Sequence, residues 1–241
     1  MRALASAITA PRACRRSSSA RIPAVGRAVE QGVLTSRWRE FSGQEMGLPL
    51  RDAQRHTYGE YLAWPEDVRF ELIEGEAYLM SPAPPVGHQR LVLELARQIA
   101  DALEGGECEV FVAPFDVRLP RADEPDGDID TVVQPDLTVV CDPGKIDERG
   151  CRGAPDWVVE VLSPATAAHD QTVKLAAFER AGVKECWFVH PTDRTVAVYL
   201  LAGDAYGRPA ISELAGALAA RTVPSVLIAW ARALREPAAD T

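Results

Sequence analysis

From His88 to Glu104 the apolar residues Leu91, Leu95, Ile99 and Leu103 recur at helical spacing, with Val92 and Ala96 alongside. That stripe predicts an amphipathic helix, and Gly105-Gly106 ends it. A second helix is predicted from about Thr166 to Ala181, closed by Gly182, and a last one from about Ser225 to Leu234. A short helix from Thr57 to Trp64 has Thr57 as N-cap and Glu60 three residues on, a capping-box pattern, and Pro65 stops it. Arg69 to Met80 reads as two strands around a Glu74-Gly75 hairpin turn. Further strands are predicted at Glu109–Ala113, Phe115–Leu119, Val132–Val140, Trp157–Leu162, Glu185–Val189 and Thr195–Leu200. Trp157–Leu162 is apolar on both faces, which suits a central strand. Ser81–Gly87, Arg121–Asp130 and Asp142–Pro155 read as loops, and Pro191-Thr192-Asp193 as a turn. No internal repeat is visible. Hairpins flanking strand–helix–strand units make this an α/β or α+β fold with a mixed β-sheet.

The 241 residues, 47% hydrophobic and 25% charged, suit one globular domain. Residues 1–45 differ from the rest, with eight arginines, three acids and no sustained periodicity. Their composition resembles a transit peptide. We favour the alternative of an upstream start, with Met46 the true one, and expect a poorly ordered extension before a domain over 46–241. Without that extension 18 basic side chains face 32 acidic ones, a formal charge of −14. Broad electrostatic binding of nucleic acid is disfavoured by that charge, although a local basic groove is compatible with it. The five cysteines, Cys14, Cys108, Cys141, Cys151 and Cys186, form no CxxC pair. They predict neither a zinc site nor a disulfide framework, and free thiols in a reducing cytoplasm are the simplest reading. No apolar run is long enough to cross a bilayer and no signal peptide is visible, so we expect a cytoplasmic protein with no membrane partner.

Two strands carry an unexpected acid. Asp136 lies in Gln134-Pro135-Asp136-Leu137 and Glu160 in Val158-Val159-Glu160-Val161-Leu162. A buried carboxylate is costly without a cation, a metal or a raised pKa. For Asp136 the ordinary alternative is a turn carboxylate accepting backbone N–H bonds, and for Glu160 a buried ion pair with an arginine. Lys174 borders the apolar stripe of the following helix, where snorkelling to water past Leu175 and Phe178 is the ordinary behaviour. His169 and Asp170 stand near that helix's start, where its dipole favours Asp. In the first hairpin Glu74 reads as a turn residue and Glu71 as the better site candidate. His88 opens its helix, where an exposed histidine is the ordinary reading and a substrate contact the rarer one. There is no P-loop, GxGxxG, GxSxG or HExxH pattern.

Phe70 to Glu76, Met80-Ser81-Pro82-Ala83-Pro84, His88-Gln89-Arg90, Phe115 to Leu119, Gln134 to Leu137, Val159 to Pro164, and Lys174 through Gly182 to Trp187 together resemble the Uma-two family of restriction endonucleases. The likeness covers roughly residues 50–200. It implies a restriction-endonuclease-like fold, a mixed β-sheet flanked by helices, with a PD-(D/E)xK type of active site. Pro135-Asp136 matches the first half and Glu160-Val161-Leu162 the second, except that Leu162 stands where the lysine belongs. Lys174 on the next helix is the candidate replacement, and Glu71 matches the extra acid that such nucleases carry. The resemblance implies Mg²⁺ or Mn²⁺ held by Asp136, Glu160 and the Val161 carbonyl, with DNA as the substrate of phosphodiester hydrolysis.

Two other readings compete. One is a catalytically inactive module that binds nucleic acid or protein, favoured by the missing strand lysine and the negative charge. The other is a glycosidase using Asp136 and Glu160 as an acid–base pair, for which no aromatic sugar platform stands out. The apolar strands from Cys186 to Leu200 are candidates for pairing two chains into a homodimer.

Overall fold

Turn chemistry and capping account for the first elements. In the computed structural model, which describes residues 54–64, 69–80, 84–164 and 166–234, the Glu60 carboxylate returns to the Thr57 N–H at the start of α1 (Tyr58–Tyr61). That helix is one turn, shorter than expected. Strands β1 (Phe70–Ile73) and β2 (Glu76–Leu79) form the hairpin. Glu74 and Gly75 both have positive φ, 53° and 80°, as a two-residue turn of this hand requires. Helix α2 (Val86–Leu103) begins just after Pro85 and buries Leu91, Val92, Leu95, Ala96, Ile99 and Leu103. The expected extension over 1–45 and the first three residues of the Ser81–Gly87 loop lie outside the described residues.

The large sheet contains β3 (Glu109–Val112), β6 (Leu137–Val140), β9 (Trp157–Val161), β10 (Glu185–His190), β11 (Thr195–Ala202) and β12 (Ala205–Tyr206). They are ordered β12-β11-β10-β9-β6-β3, with β13 (Ala210–Glu213) also on β11. β9 runs parallel to β10 and antiparallel to β6, so it is central, as its apolar sequence predicts. A second sheet has the order β2-β1-β5-β4-β8-β7. It adds β4 (Val117–Arg118), β5 (Val132–Val133), β7 (Ile146–Asp147) and β8 (Gly150–Arg152). Strands β14 (Ala217–Ala219) and β15 (Leu227–Ala229) pair separately, and one helical turn, α5 (Trp230–Ala233), follows. The fold is α+β with mixed sheets.

Strand alternation divides β9 between two cores. Trp157, Val159 and Val161 join α2, Trp187, Val189 and Trp230 in one of them. Val158 and Leu162 join Phe178, Phe188 and the small sheet's Ile73, Val117, Val133 and Cys151 in the other. Glu160 has the same parity as Val158 and Leu162, so its carboxylate is directed to the side of the small sheet. That side also receives the helical run after β9: α3 (Ala167–His169), a π-helical segment (Asp170–Lys174) and α4 (Leu175–Ala181). Gly182, with φ 87°, ends it as predicted.

Five expectations are corrected. The single strand over Val132–Val140 is two strands in two different sheets, because Pro135 cannot donate to a ladder and the chain crosses between sheets there. The Asp142–Pro155 loop contains the β7–β8 hairpin. The first part of the helix expected at Ser225 is β15, which pairs with β14. Cys108 and Cys141 are disulfide-bonded. They flank the opposed residues Glu109 and Val140 of antiparallel β3 and β6, a proximity invisible in their spacing. A disulfide is ordinarily a feature of oxidising compartments, so the cysteines no longer support a cytoplasmic location. The strands proposed to pair between chains are also taken: β10 lies between β9 and β11, and the outer side of β11 carries β12 and β13. No helix among the described residues is long and apolar enough to cross a membrane.

Candidate active site

The crossing at Pro135 organises the site. The peptide N–H groups on either side of the proline leave their ladders and must be satisfied elsewhere. Gln134 donates its N–H to Glu71 Oε1 at 2.7 Å, and Asp136 donates its own to Glu160 Oε2 at 3.4 Å. The Val161 N–H then donates to Asp136 Oδ2 at 2.8 Å. Asp136 and Glu160 are thus tied by reciprocal backbone-to-carboxylate bonds across the mouths of β6 and β9. The turn-carboxylate alternative for Asp136 describes one of its bonds and misses its neighbours.

Lys174 supplies the cation. Its Nζ lies 2.5 Å from Glu160 Oε1, 3.0 Å from Glu71 Oε1 and 3.9 Å from Asp170 Oδ1. Its side chain is only 4% exposed, so it does not snorkel to water, and the partner of Glu160 is this lysine rather than an arginine. Asp170 and Lys174 are the first and last residues of the π-helical segment. Such a turn inserts a residue into the helix and re-aims side chains, often at functional sites. Leu162 occupies the strand position of the absent lysine, buried in the apolar core with its N–H on the Val189 carbonyl at 2.8 Å.

His88 also belongs to this group. Its Nε2 is 3.1 Å from Asp136 Oδ2, and its side chain is 11% exposed. This corrects the reading of an exposed helix-opening histidine. Pro85 immediately precedes α2, so His88 stands in the helix's first turn. Asp170 was missed as a site residue too, although its i,i+4 relation to Lys174 placed it on the same face.

The electrostatics follow from crowding. Four carboxylates, Glu71, Asp136, Glu160 and Asp170, share one ammonium, a formal balance of −3 with His88 neutral. Burial pushes the Glu160 carboxyl well above its ordinary range; Lys174 opposes this, and Asp170, Asp136 and Glu71 reinforce it. Asp170 is raised, chiefly by burial, with Lys174 again opposing. For Lys174 burial works against the charge, but Glu160, Glu71 and Asp170 overcome it and raise its pKa well above the ordinary value. The ammonium therefore keeps its charge among these acids. Burial would lower the His88 pKa, yet the bond to Asp136 and the backbone of Val161 leave it raised.

A second polar cluster adjoins the first through Gln134. The Gln134 amide donates to Asp116 Oδ1 at 2.7 Å and receives Arg69 at 2.7 Å. The Tyr58 hydroxyl donates to Asp116 Oδ2 at 3.3 Å. Burial followed by the Asp116 charge pushes the Tyr58 hydroxyl up to about 12, and burial raises Asp116 itself.

The carboxylate oxygens of this group are the kind of ligand a hard cation takes. Among the described residues no three His, Cys, Asp or Glu side chains are grouped so as to hold a metal ion. An ion here would take Asp136 and Glu160, the Val161 carbonyl and water. Mg²⁺ and Mn²⁺ accept that, since such ions bind through one or two carboxylates and keep several waters.

The model of the Uma2 family, described as "Putative restriction endonuclease", matches residues 58–231. An uncharacterized protein of Synechocystis sp., slr1290, is 29% identical over 121 residues, 49% of this chain and 60% of that protein. The match therefore spans less than two thirds of that relative. A crystal structure described as "a putative nuclease belonging to DUF820" from Anabaena variabilis has a TM-score of 0.58 at 21% identity, covering 74% of this chain and 97% of that one. At that identity the likeness establishes the fold.

Proposed function

The chain belongs to the Uma2 family, and on that premise we propose that it is a metal-dependent endonuclease hydrolysing the phosphodiester bonds of DNA. The family description and the fold support a nuclease role. The metal, the DNA substrate and the residue roles are our reading of the cleft. The observation that carries it is the meeting of Glu71, Asp136, Glu160 and Lys174 around the Pro135 crossing, with Glu71 and Glu160 joined through the Lys174 ammonium and Asp136 tied to Glu160 by its backbone N–H.

Asp136, Glu160 and the Val161 carbonyl would hold the divalent ion. When bound, the ion polarises the phosphate and lowers the pKa of a water. The remaining work falls to the chain. Lys174 presents a fixed positive charge to the oxygens that gain charge in the transition state, and orients the attacking water. Glu71 holds that ammonium in place from the side of the small sheet, itself anchored by the Gln134 N–H. The ammonium needs no strand position to do this, so Leu162 is compatible with activity.

The test is plasmid nicking by the purified chain with Mg²⁺. Cleavage that EDTA abolishes and that Asp136→Ala and Lys174→Ala both remove supports the reading. DNA binding without turnover, indifferent to Lys174→Ala, would instead mark a non-catalytic module. Absence of any divalent-ion binding would rule out this site.

A further inference from the structure

Asp136 offers its two oxygens unequally. Oδ2 receives the Val161 N–H at 2.8 Å and His88 Nε2 at 3.1 Å. A carboxylate oxygen has about two lone-pair sites, so these two donors occupy it. The Val161 bond comes from the strand backbone and is part of the β6–β9 junction. The His88 bond comes from elsewhere. It is delivered by the first turn of α2, whose next turns are fixed in the core by Leu91, Val92 and Leu95. The ring therefore has a rigid origin and a side chain that is mostly buried.

Mg²⁺ demands near-octahedral geometry and binds a carboxylate through one oxygen. Ca²⁺ takes six to eight oxygens and accepts both from one carboxylate. Keeping Oδ2 occupied therefore discriminates between the two ions. We propose that His88 is a positioning residue that restricts Asp136 to coordination through Oδ1 and so biases the site towards Mg²⁺ over Ca²⁺. This rests on the reading of Asp136 and Glu160 as a cation site.

The experiment is calorimetric titration of the full chain with MgCl₂ and, separately, CaCl₂. It compares the native protein with His88→Ala, His88→Gln and Asp136→Asn, each checked for folding by thermal melting. His88→Ala is expected to weaken Mg²⁺ binding roughly tenfold, the lower end of the cost of losing a residue that orients a metal ligand. Ca²⁺ affinity is expected to hold or rise, so the Mg²⁺/Ca²⁺ ratio falls by at least as much. His88→Gln, whose amide N–H can reach the same oxygen, should restore most of the ratio. Equal weakening of both ions by His88→Ala, or an unchanged ratio, overturns the role of His88 while leaving the cation site intact. If the native protein takes up neither ion, or Asp136→Asn binds both as the native protein does, the cation reading fails and the role of His88 falls with it.

Discussion

Lys174→Met deletes the ammonium and keeps most of the aliphatic stem. The folded protein places that ammonium 2.5 Å from Glu160, 3.0 Å from Glu71 and 3.9 Å from Asp170. Its loss takes the cluster with Asp136 from a formal −3 to −4. At an effective dielectric of about 20, one pair of unit charges about 4 Å apart attracts by about 4 kcal/mol, and the cost of burying both ions offsets much of this. Removing one partner of a buried pair costs about 3–5 kcal/mol, a large part of the roughly 5–15 kcal/mol that holds a domain together. We expect a loss in that range by urea denaturation in EDTA at pH 7, followed by the fluorescence of the buried Trp157, Trp187 and Trp230. The loss should depend on pH with a defined sign. The Glu160 and Asp170 carboxyls are already raised by burial, and without Lys174, which opposes this, both rise further above their unfolded values. A carboxyl raised in the folded state favours folding at low pH and opposes it as pH climbs through the folded pKa. The gap between native protein and variant should therefore widen as pH rises from about 4 to 7. Adding Glu160→Gln to the variant should recover part of the loss, since it removes a charge that has no partner. A loss under about 1 kcal/mol, or one independent of pH, would refute the view that this ammonium neutralises the cluster.

Gly150→Ala should cost about 2 kcal/mol or more in a melting experiment, since φ is 120° and an added Cβ would stand 2.2 Å from the Asp116 carbonyl oxygen; an unchanged melting temperature would contradict the β8 placement. Reducing Cys108–Cys141, separated by 33 residues, should lower stability by about 3–4 kcal/mol on chain-entropy grounds; a urea midpoint indifferent to reductant would show the thiols are not joined. Asp156 loses basicity on folding, because the Lys184 ammonium at 2.6 Å and the Cys141 N–H at 2.7 Å outweigh its burial. Its depressed pKa gives stability that is present above the unfolded value near 4 and lost as pH falls through the folded one. Asp156→Asn should flatten the acid limb of the stability profile below about pH 4, and an unaltered limb would refute this.

Elements whose periodicity is local were legible. The stripe through Leu91, Leu95 and Ile99 marks α2, and the doubly apolar Trp157–Leu162 marks a central strand. What escaped depends on distant partners. β7 and β8 are two or three residues each, and β8 is a strand because it lies beside β4. β15 is a strand because β14 is opposite it, and Leu227–Ala229 alone scans as readily as helix. The disulfide joins residues flanking two paired strands, and the spacing of the cysteines carries no trace of that pairing.

For the site the division falls differently. Asp136 and Glu160 stand out in sequence because each interrupts an apolar strand, and a single chain reveals the electrostatic cost of that without its remedy. The remedy is non-local in every part. Glu71 comes from the small sheet, Lys174 from a π-helical turn that no local periodicity announces, and His88 from the opposite helix. Pro135 is the residue that makes the assembly necessary. By moving the chain from one sheet to the other it frees the N–H groups of Gln134 and Asp136, and each finds an acid of the cluster. Those acids are therefore placed by backbone demand as well as by chemistry. An alanine at Pro135 would restore a peptide N–H with no acceptor assigned to it and loosen the crossing. It should disturb Glu71 and Glu160 together, whereas Leu162→Lys would add a second cation beside Glu160 and leave the crossing intact.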